Sequence, residues 1–274
     1  MYINCKGQLV DLEQPRIMGI LNITPDSFYD GGRKHSLSQR LTHAEQMLKE
    51  GADFIDVGAY SSRPGATDIT EETELARLMP VVEAILREFP SAILSVDTFR
   101  SRIAREAVTA GAAMVNDISA GNLDPGMIPS VAELQVPYIM MHMKGTPQNM
   151  KEQTDYQNLL QDILYYFSQK ILAARNAGIN DLIIDPGFGF SKTIRQNFEL
   201  LSHLELFGIL ELPLLCGLSR KSMIYKTLGT GPEEALNGTS VLNTLSLTKG
   251  ANILRVHDVR EAVECVKLLS HLKN

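Results

Sequence analysis

The sequence predicts an α/β fold of the (β/α)8 TIM barrel type, because eight short apolar segments alternate with segments of helical periodicity. The apolar segments are continuous, as expected of parallel strands covered on both faces. They fall at residues 16–22, 54–59, 92–97, 113–117, 137–142, 182–186, 212–217 and 251–256. Strand followed by helix, repeated about eight times, is typical of a closed barrel with its active site at the carboxyl ends of the strands.

Helical periodicity is clearest between the second and third apolar segments. Apolar residues recur there at spacings of three and four, namely Leu75, Leu78, Met79, Val82, Ile85 and Leu86. Thr70, followed by Glu71 and Glu72, predicts the N-terminus of this helix, and Ser36 with Gln39 predicts a capping box for the helix before it.

An open, doubly wound sheet is the structural alternative. Such a sheet normally has fewer strands in each domain, and no Pro/Gly/Ser-rich linker divides this chain of 274 residues into two such sheets. A single barrel domain over residues 1–274 is therefore predicted.

Composition narrows the possible partners. The net charge is −6 and the basic residues are scattered, which disfavours nucleic acid and membrane surfaces and favours small molecules. The three cysteines have no CxxC or Cys/His spacing, so neither a disulfide framework nor structural zinc is expected. The sequence shows no secretion leader and no apolar stretch of membrane length, and a cytoplasmic location is predicted.

Polar side chains collect where the predicted strands end. They include Asn22, Asp97, Asn116, Asp117, His142, Asp185, Arg255 and His257. Barrel interiors are mostly apolar, so a ligand explains this set better than packing does. For Asp117, Ser119 and Asp124 alone, capping of the following helices is the favoured interpretation.

Four loops carry the candidate chemistry. Residues 18–32, MGILNITPDSFYDGG, offer many oxygen atoms, which suits either Mg²⁺ with a phosphorylated substrate or an ordinary turn-rich loop. SSRPGA holds Arg63 extended before a proline, which suits a phosphate or carboxylate, although an exposed turn with a solvated arginine is common for any single RPG. In DPGFGFSK, Asp185 can accept hydrogen bonds from an N–C–N edge such as that of guanine or a pterin. In GLSRK, Ser219, Arg220, Lys221 and Ser222 favour an anion or a heterocycle.

Together these segments resemble the dihydropteroate synthase family. The matching segments are MGILNITPDSFYDGG, DVGAYSSRPGA, SVDT, NDIS, MHMKG, DPGFGFSK, GLSRKSM and RVHDV. All eight occur in the family's order and spacing, from about residue 16 to 260. The resemblance implies a barrel transferase that joins 6-hydroxymethyl-7,8-dihydropterin diphosphate to 4-aminobenzoate.

The resemblance also implies a role for each matching residue. The pterin set is Asp97, Asn116, Asp185 and Lys221, and the diphosphate set is Asn22, Ser62, Arg63, Arg255 and His257. The aminobenzoate set is Phe28, Ser62, Pro64, Phe190, Lys221 and Ser222. Mg²⁺ would be held by Asn22 and Asp30, and the catalytic residues would be Asp97, Lys221, Arg255 and His257.

Two features qualify the resemblance. The family's usual glutamate after the second strand is replaced by Tyr60, which predicts altered aminobenzoate affinity with retained activity. Family members are usually homodimers, and apolar residues of the last helices either serve such a contact or belong to the core; they are Leu242, Leu245, Val263, Val266 and Leu269. Corrinoid-dependent methyltransferase domains are one alternative, but they have no use for the diphosphate set of the RPG loop, Arg255 with His257, and the serine-lysine loop. A non-enzymatic paralogue is the other, and loss of Asn22, Asp97 or Lys221 would favour it, but all three are present.

Overall fold

The computed structural model describes residues 1–23, 37–61 and 68–272. Within them, a β hairpin precedes the barrel, formed by β1 (Tyr2–Cys5) and β2 (Gln8–Asp11). Lys6 and Gly7 turn the hairpin with φ angles of 53° and 88°, as a two-residue hairpin loop requires. The sequence analysis did not predict this hairpin.

Eight parallel strands form the barrel. They are β3 (Arg16–Asn22), β4 (Phe54–Gly58), β5 (Leu94–Asp97), β6 (Met114–Asp117), β7 (Tyr138–Met141), β8 (Leu182–Asp185), β9 (Leu215–Cys216) and β10 (Ile253–Val256). Their order is β8-β7-β6-β5-β4-β3-β10-β9, and a parallel bridge between Ile184 and Leu214 joins the two ends of this sheet. The predicted barrel is confirmed, and each strand lies within a predicted segment.

Helices surround the strands. They are α1 (Leu37–Glu50), α2 (Glu71–Glu88), α3 (Ser101–Ala110), α4 (Met127–Leu134), α5 (Leu159–Asn176), α6 (Ile194–Ser202), α7 (Ser222–Leu228), α8 (Leu236–Thr248) and α9 (Val259–Ser270). Thr70 caps α2 as predicted, accepting a hydrogen bond from the Thr73 amide at 3.2 Å. The predicted cap at Ser36 lies outside the described residues. Two helices, α7 and α8, connect β9 to β10.

The helices pack closely on the strands. A Cβ added at Gly19 in β3 would lie 2.6 Å from Met47 Sδ in α1, so only glycine permits this approach. The hairpin packs against the amino-terminal ends of the barrel strands. Four residues at its end of the chain, Ile3, Cys5, Val10 and Leu12, form one apolar cluster with residues of the strands and their flanks. These partners are Met18, Phe54, Met114, Ile139, Ile183, Leu215 and Ile253. The amino end of the barrel is therefore filled by side chains.

The cysteines and the helices bear on the predictions about disulfides and membranes. Cys5, Cys216 and Cys265 are buried free thiols, in agreement with the predicted lack of a disulfide framework. Among the described residues, no helix has the length and apolar character needed to cross a membrane.

Candidate active site

The carboxyl ends of the strands carry the predicted polar residues. Asn22, Asp97 and Asp185 are the last residues of β3, β5 and β8, and Asn116 lies next to the end of β6. Arg255 lies in β10, and Lys221 is the residue before α7. The predicted site residues Phe28, Asp30, Ser62, Arg63 and Pro64 lie outside the described residues.

Arg255 connects two carboxylates across the barrel. Its Nε donates to Asp56 Oδ2 at 2.6 Å, and its Nη2 donates to Asp97 Oδ2 at 2.7 Å. The side chain of Asp56 is fully buried, and that of Arg255 is 20% exposed. Among the described residues, Nη1 of Arg255 makes no hydrogen bond. The guanidinium is thus anchored at two corners and keeps donors for an anionic ligand.

Asp56 is a site residue that the sequence analysis missed. Its Oδ2 also accepts a hydrogen bond from Asn116 Nδ2 at 2.9 Å, whereas its Oδ1 is buried without a partner in the described structure. Because the Asn116 nitrogen is occupied, the Asn116 oxygen remains as an acceptor for a ligand N–H. The available clue was a carboxylate inside the otherwise apolar buried strand FIDVG, which requires a cationic or hydrogen-bonding partner.

The electrostatics of Asp97 follow from its surroundings. Burial raises the pKa of Asp97 to about 7, with Asp56, Glu74 and Asp117 acting in the same direction, while Arg255 lowers it. A carboxylate with this pKa changes its charge close to neutral pH. Asp97 is therefore placed to respond to positive charge that develops on a bound ligand.

Asp185 and Lys221 form the opposite side of the site. Asp185 Oδ1 accepts from the Gly187 amide at 2.8 Å, and burial raises the Asp185 pKa despite the nearby Lys221. Burial lowers the pKa of Lys221 to about 8, while Asp185 favours its charged form. A Cβ at Gly217 would lie 3.7 Å from Lys221 Nζ and 3.9 Å from Arg255 Cβ. Lys221 and Arg255 therefore stand close together beside β9.

The loop after β8 borders Lys221. Lys221 Nζ donates to the carbonyl of Phe188 and lies 5.1 Å from the ring centroid of Phe190. Phe188 is fully buried in the core, whereas Phe190 is half-buried at the site. Ser222, another predicted pocket residue, is the first residue of α7. Phe190, Lys221 and Ser222 thus form one side of the site.

His257 follows β10 and is oriented by Ser219. The His257 amide donates to Ser219 Oγ at 3.2 Å, and its Nδ1 lies 3.0 Å from the same oxygen. The Ser219 hydroxyl donates to Nδ1 in one tautomer of the ring and accepts from it in the other, and in both cases the contact holds the ring with Nε2 directed away from Ser219. Within the described chain, neither Asn22 nor Ser222 makes a side-chain hydrogen bond to the Arg255 or Lys221 groups.

Arg220 departs from the prediction for GLSRK. Its guanidinium binds both carboxylate oxygens of Asp258, at 2.9 and 2.7 Å, and the carbonyls of Pro232 and Glu233. This contact ties the segment before α7 to the start of α9. The prediction that Arg220 belongs to an anion site is therefore wrong, because a nearby carboxylate and two carbonyls bind the side chain instead.

Asp117 and Asp124 have structural roles, although neither side chain caps the following helix α4 as predicted. Asp117 is fully buried and accepts hydrogen bonds from the Ser119 amide, the Gly121 amide and the Tyr138 hydroxyl at 2.7 Å each. Asp124 accepts from the amide of Ser101, the first residue of α3. Both carboxylates serve the turns and helix ends around the barrel.

Tyr60 is packed rather than solvated. Its ring meets Phe99 edge to face at a centroid distance of 4.9 Å, and its hydroxyl accepts from Gln148 Nε2 at 2.8 Å. The Arg100 guanidinium lies 5.5 Å from the ring and donates to the buried carboxylate of Glu74 at 2.6 Å. A ring thus occupies the start of the second loop, beside an arginine that already has a carboxylate partner.

A parallel barrel with carboxylates, an amide, an arginine and a lysine at its carboxyl end has the chemistry to bind a flat polar heterocycle next to an anion. The family model for pterin binding enzymes matches residues 18–257, which covers both sides of the site. The class of protein is therefore that of the pterin binding enzymes.

The comparisons with individual proteins are more specific. The dihydropteroate synthase of Escherichia coli K12 is 43% identical over 98% of this chain and 95% of its own length. A crystal structure of Yersinia pestis dihydropteroate synthase with a sulfonamide drug complex superposes with a TM-score of 0.95 at 42% identity, covering 100% of this chain and 99% of that one. Xanthomonas albilineans dihydropteroate synthase with 4-aminobenzoic acid gives a TM-score of 0.92 at 39% identity, covering 99% and 98%. The chain belongs to the dihydropteroate synthase family, a family of transferases.

Proposed function

We propose that the chain condenses 6-hydroxymethyl-7,8-dihydropterin diphosphate with 4-aminobenzoate, giving 7,8-dihydropteroate and pyrophosphate for folate synthesis. The observation that carries this proposal is the Arg255 network. One guanidinium is anchored by Asp56 and Asp97, and Asp56 also orients Asn116. Groups suited to a heterocycle and a donor suited to an anion therefore meet at the same end of the barrel.

The pterin ring is bound through complementary hydrogen bonds in this proposal. Asp185 accepts from the amino and ring N–H groups, and the Asn116 oxygen accepts from another ring N–H. Both residues are nearly fully buried, so their unpaired acceptors favour a ligand that supplies donors. Lys221 donates to a ring acceptor from the side of Asp185.

The diphosphate is bound beside the pterin by positive charge. Arg255 directs its remaining donors to the leaving group, and His257, oriented by Ser219, donates through Nε2. These residues lie on or after β10, next to β3, where Asn22 ends the strand. Ser62 and Arg63, which the family resemblance adds to this set, lie outside the described residues.

The reaction requires the site to stabilise positive charge on the pterin and negative charge on the departing pyrophosphate. Departure of pyrophosphate leaves a cation that is delocalised into the dihydropterin, and ionised Asp97 stabilises that cation. Arg255 and His257 stabilise the departing anion, and the aniline nitrogen of 4-aminobenzoate attacks the methylene carbon. No covalent enzyme intermediate is involved. The cysteines take no part, since all three are buried and burial raises the pKa values of the Cys5 and Cys216 thiols.

Mg²⁺ is the proposed cofactor, held through Asn22 and, by way of water, Asp30. Within residues 1–23, 37–61 and 68–272 there is no group of three or more His, Cys, Asp or Glu residues able to hold a metal ion. One amide oxygen at the end of β3 still fits Mg²⁺, which commonly binds one or two protein groups and completes its shell with water and substrate phosphates. When bound, the ion would neutralise charge on the diphosphate.

The 4-aminobenzoate subsite is proposed beside Phe190, Lys221 and Ser222. The crystal structure of the Xanthomonas albilineans relative contains 4-aminobenzoic acid, which supports a site for this substrate class. Lys221 and the helix N-terminus at Ser222 suit the carboxylate, and the Phe190 ring suits the aromatic face. Phe28, Ser62 and Pro64, the other predicted members, lie outside the described residues.

A homodimer formed through α8 and α9 is also proposed, in a cytoplasmic setting. Leu245 is 42% exposed on α8, and Val241 beside it is 50% exposed, which supports an apolar contact there. Leu242 is instead buried in the core. Three partly buried residues of α9 pack against the same core, namely Val263, Val266 and Leu269. The continuous eight-stranded sheet supports one domain, and the free thiols support a reducing compartment.

Pyrophosphate release tests the proposed function directly. The purified chain is expected to release pyrophosphate from the pterin diphosphate only when both 4-aminobenzoate and Mg²⁺ are present. An unphosphorylated hydroxymethyl pterin is the control substrate, because it has no leaving group to release. Release at the same rate without 4-aminobenzoate would instead indicate a hydrolase and would contradict the proposal.

A further inference from the structure

Lys192 is a buried lysine at the end of the loop after β8, and no substrate role is assigned to it above. Lys192 is only 8% exposed and lies at the edge of the site. Its Nζ lies 3.1 Å from His142 Nδ1, 2.9 Å from the Gly187 carbonyl and 3.0 Å from the Phe190 carbonyl. Three acceptors match the three hydrogens of an ammonium group.

Burying this ammonium is costly. Burial lowers the pKa of Lys192 to about 7, with Lys221 and Lys144 acting in the same direction and Asp185 opposing them. All three direct partners of Nζ are neutral, since burial also holds His142 uncharged by lowering its pKa well below the usual range. A buried charge that lacks a direct ionic partner contributes little to stability, so its benefit must lie elsewhere.

The loop that Lys192 binds has an unusual path. Gly187 has a φ angle of 72°, and a Cβ there would lie 2.1 Å from the His142 carbonyl. Ser191 also has a positive φ, of 50°, and its hydroxyl pairs with the amide and carbonyl of Lys144 at 2.7 and 2.9 Å. Glycine adopts such an angle without strain, whereas a serine keeps one only where its surroundings hold it.

Two ammonium groups hold this loop between them. Lys192 Nζ donates hydrogen bonds to the carbonyls of Gly187 and Phe190. Lys221 Nζ, from the far side of the site, donates to the carbonyl of Phe188. The Phe190 ring thereby stands 5.1 Å from Lys221 Nζ. The distance between these two groups thus depends on where Lys192 holds the backbone of Phe190.

We propose that Lys192 is a positioning residue for the second substrate: with His142 as its acceptor, it fixes the loop 186–191 so that Phe190 and Lys221 enclose 4-aminobenzoate. The inference rests on the proposed function, because it takes Phe190 and Lys221 as the aminobenzoate side of the site. It adds a positioning role for two residues that hold the loop in place, Lys192 and His142.

The first test is the variant Lys192→Met, which keeps the stem of the side chain and removes the ammonium. The KM for 4-aminobenzoate is expected to rise about tenfold, the effect of losing about 1.4 kcal/mol of binding. The KM for the pterin diphosphate should change less than about threefold, since Arg255, Asp56 and Asn116 lie on other strands. Pyrophosphate release provides both constants, and a melting curve shows whether the variant is folded.

Variants of His142 provide the second, independent test. In His142→Asn, the amide oxygen lies near the place of Nδ1 and can still accept from Lys192, so a normal aminobenzoate KM is expected. In His142→Leu the acceptor is lost, and the KM should rise as in Lys192→Met. The matched control is Lys170→Met, because Lys170 binds Asn122 and approaches Tyr166 without contacting the loop.

The outcomes separate this inference from the proposed function. If the unmodified chain releases no pyrophosphate with 4-aminobenzoate, the proposed function itself fails. If it does, and the two KM values change equally in Lys192→Met or in His142→Leu, Lys192 is merely structural. The same conclusion follows if His142→Asn behaves like His142→Leu, since an acceptor for Lys192 would then have no importance. Should Lys192→Met not fold, the His142 pair decides alone.

Discussion

The two ends of the barrel bury different chemistry with the same eight strands. At the amino end, the hairpin covers an apolar cluster that includes Ile3, Met18 and Phe54. Toward the carboxyl end, the chain buries Asp56 and Asp185 with Arg255 and Lys221 nearby. The amino end gains free energy from removing apolar surface from water, whereas the carboxyl end loses free energy by desolvating charge. Stability and function are therefore expected to depend on opposite ends.

The contrast also extends to the two kinds of cation at the functional end. Arg255 is held by two carboxylates, and these raise its pKa. Lys192 and Lys221 are held by neutral carbonyls, and burial lowers their pKa values to about 7 and about 8. Arginine suits a fixed charge for the leaving anion, and lysine suits a contact that a substrate carboxylate or ring can replace.

The largest expected effect is at Arg255. Removing its side chain in Arg255→Ala takes away the donor for the diphosphate and leaves Asp56 and Asp97 without their cation. The kcat/KM for the pterin diphosphate should fall by about two to three orders of magnitude, since removing one donor from a developing anion costs about 3–4 kcal/mol of transition-state stabilisation. Titration calorimetry should show a much smaller loss for the unphosphorylated pterin. Equal losses for both ligands would remove the assigned phosphate role, and Arg260→Ala, at an exposed arginine of α9, is the control.

The amino end should show the reverse behaviour. Phe54 is fully buried under the hairpin, so Phe54→Ala should lower the free energy of unfolding by about 3–5 kcal/mol through a cavity and lost burial. At 25 °C the folded variant should keep its kcat/KM, because the predicted site residues collect at the opposite, carboxyl ends of the strands. Urea titration followed by activity measurement checks both. Leu9→Ala, at a residue of the same hairpin that is 70% exposed, should change neither quantity. A large loss of activity in the folded variant would contradict the expectation that activity depends on the carboxyl end alone.

A pH dependence sharpens the comparison further. If ionised Asp97 stabilises the pterin cation, kcat/KM should fall up to tenfold for each pH unit below its pKa of about 7. The sign for stability is opposite. Because the folded pKa lies above the usual value of 3.8, the contribution of Asp97 is fully present below that value and is lost as pH rises through about 7. Asp97→Asn should flatten this part of the stability curve, which denaturant titrations at several pH values measure. An unchanged slope would show that Asp97 does not titrate in this range.

Sequence patterns anticipated the barrel better than the contacts around its site. Continuous apolar runs identify parallel strands, and the rim residues follow because all parallel strands end on one side; Asp97, Asn116 and Asp185 lie there as predicted. Asp56 escaped notice because a single carboxylate in an apolar run shows no partner until the strands are closed. Arg220 was misassigned because its partner, Asp258, is distant in sequence. The hairpin was missed because exposed residues stand between the buried ones in its strands, which therefore lack the continuous apolar run of the barrel strands.

The smallest expected effect concerns Tyr60, which tests whether packing matters at the functional end. A carboxylate in Tyr60→Glu would lose the edge-to-face contact with Phe99 and compete with Glu74 for Arg100. The kcat should stay within about twofold, and the KM for 4-aminobenzoate should change about fivefold, the equivalent of about 1 kcal/mol. Tyr60→Phe is the matched control, because it keeps the ring and removes only the hydrogen bond from Gln148. If Tyr60→Glu leaves the aminobenzoate KM unchanged, the ring at this position supports only the fold. Apolar packing around Tyr60 would then have no effect on binding of the second substrate.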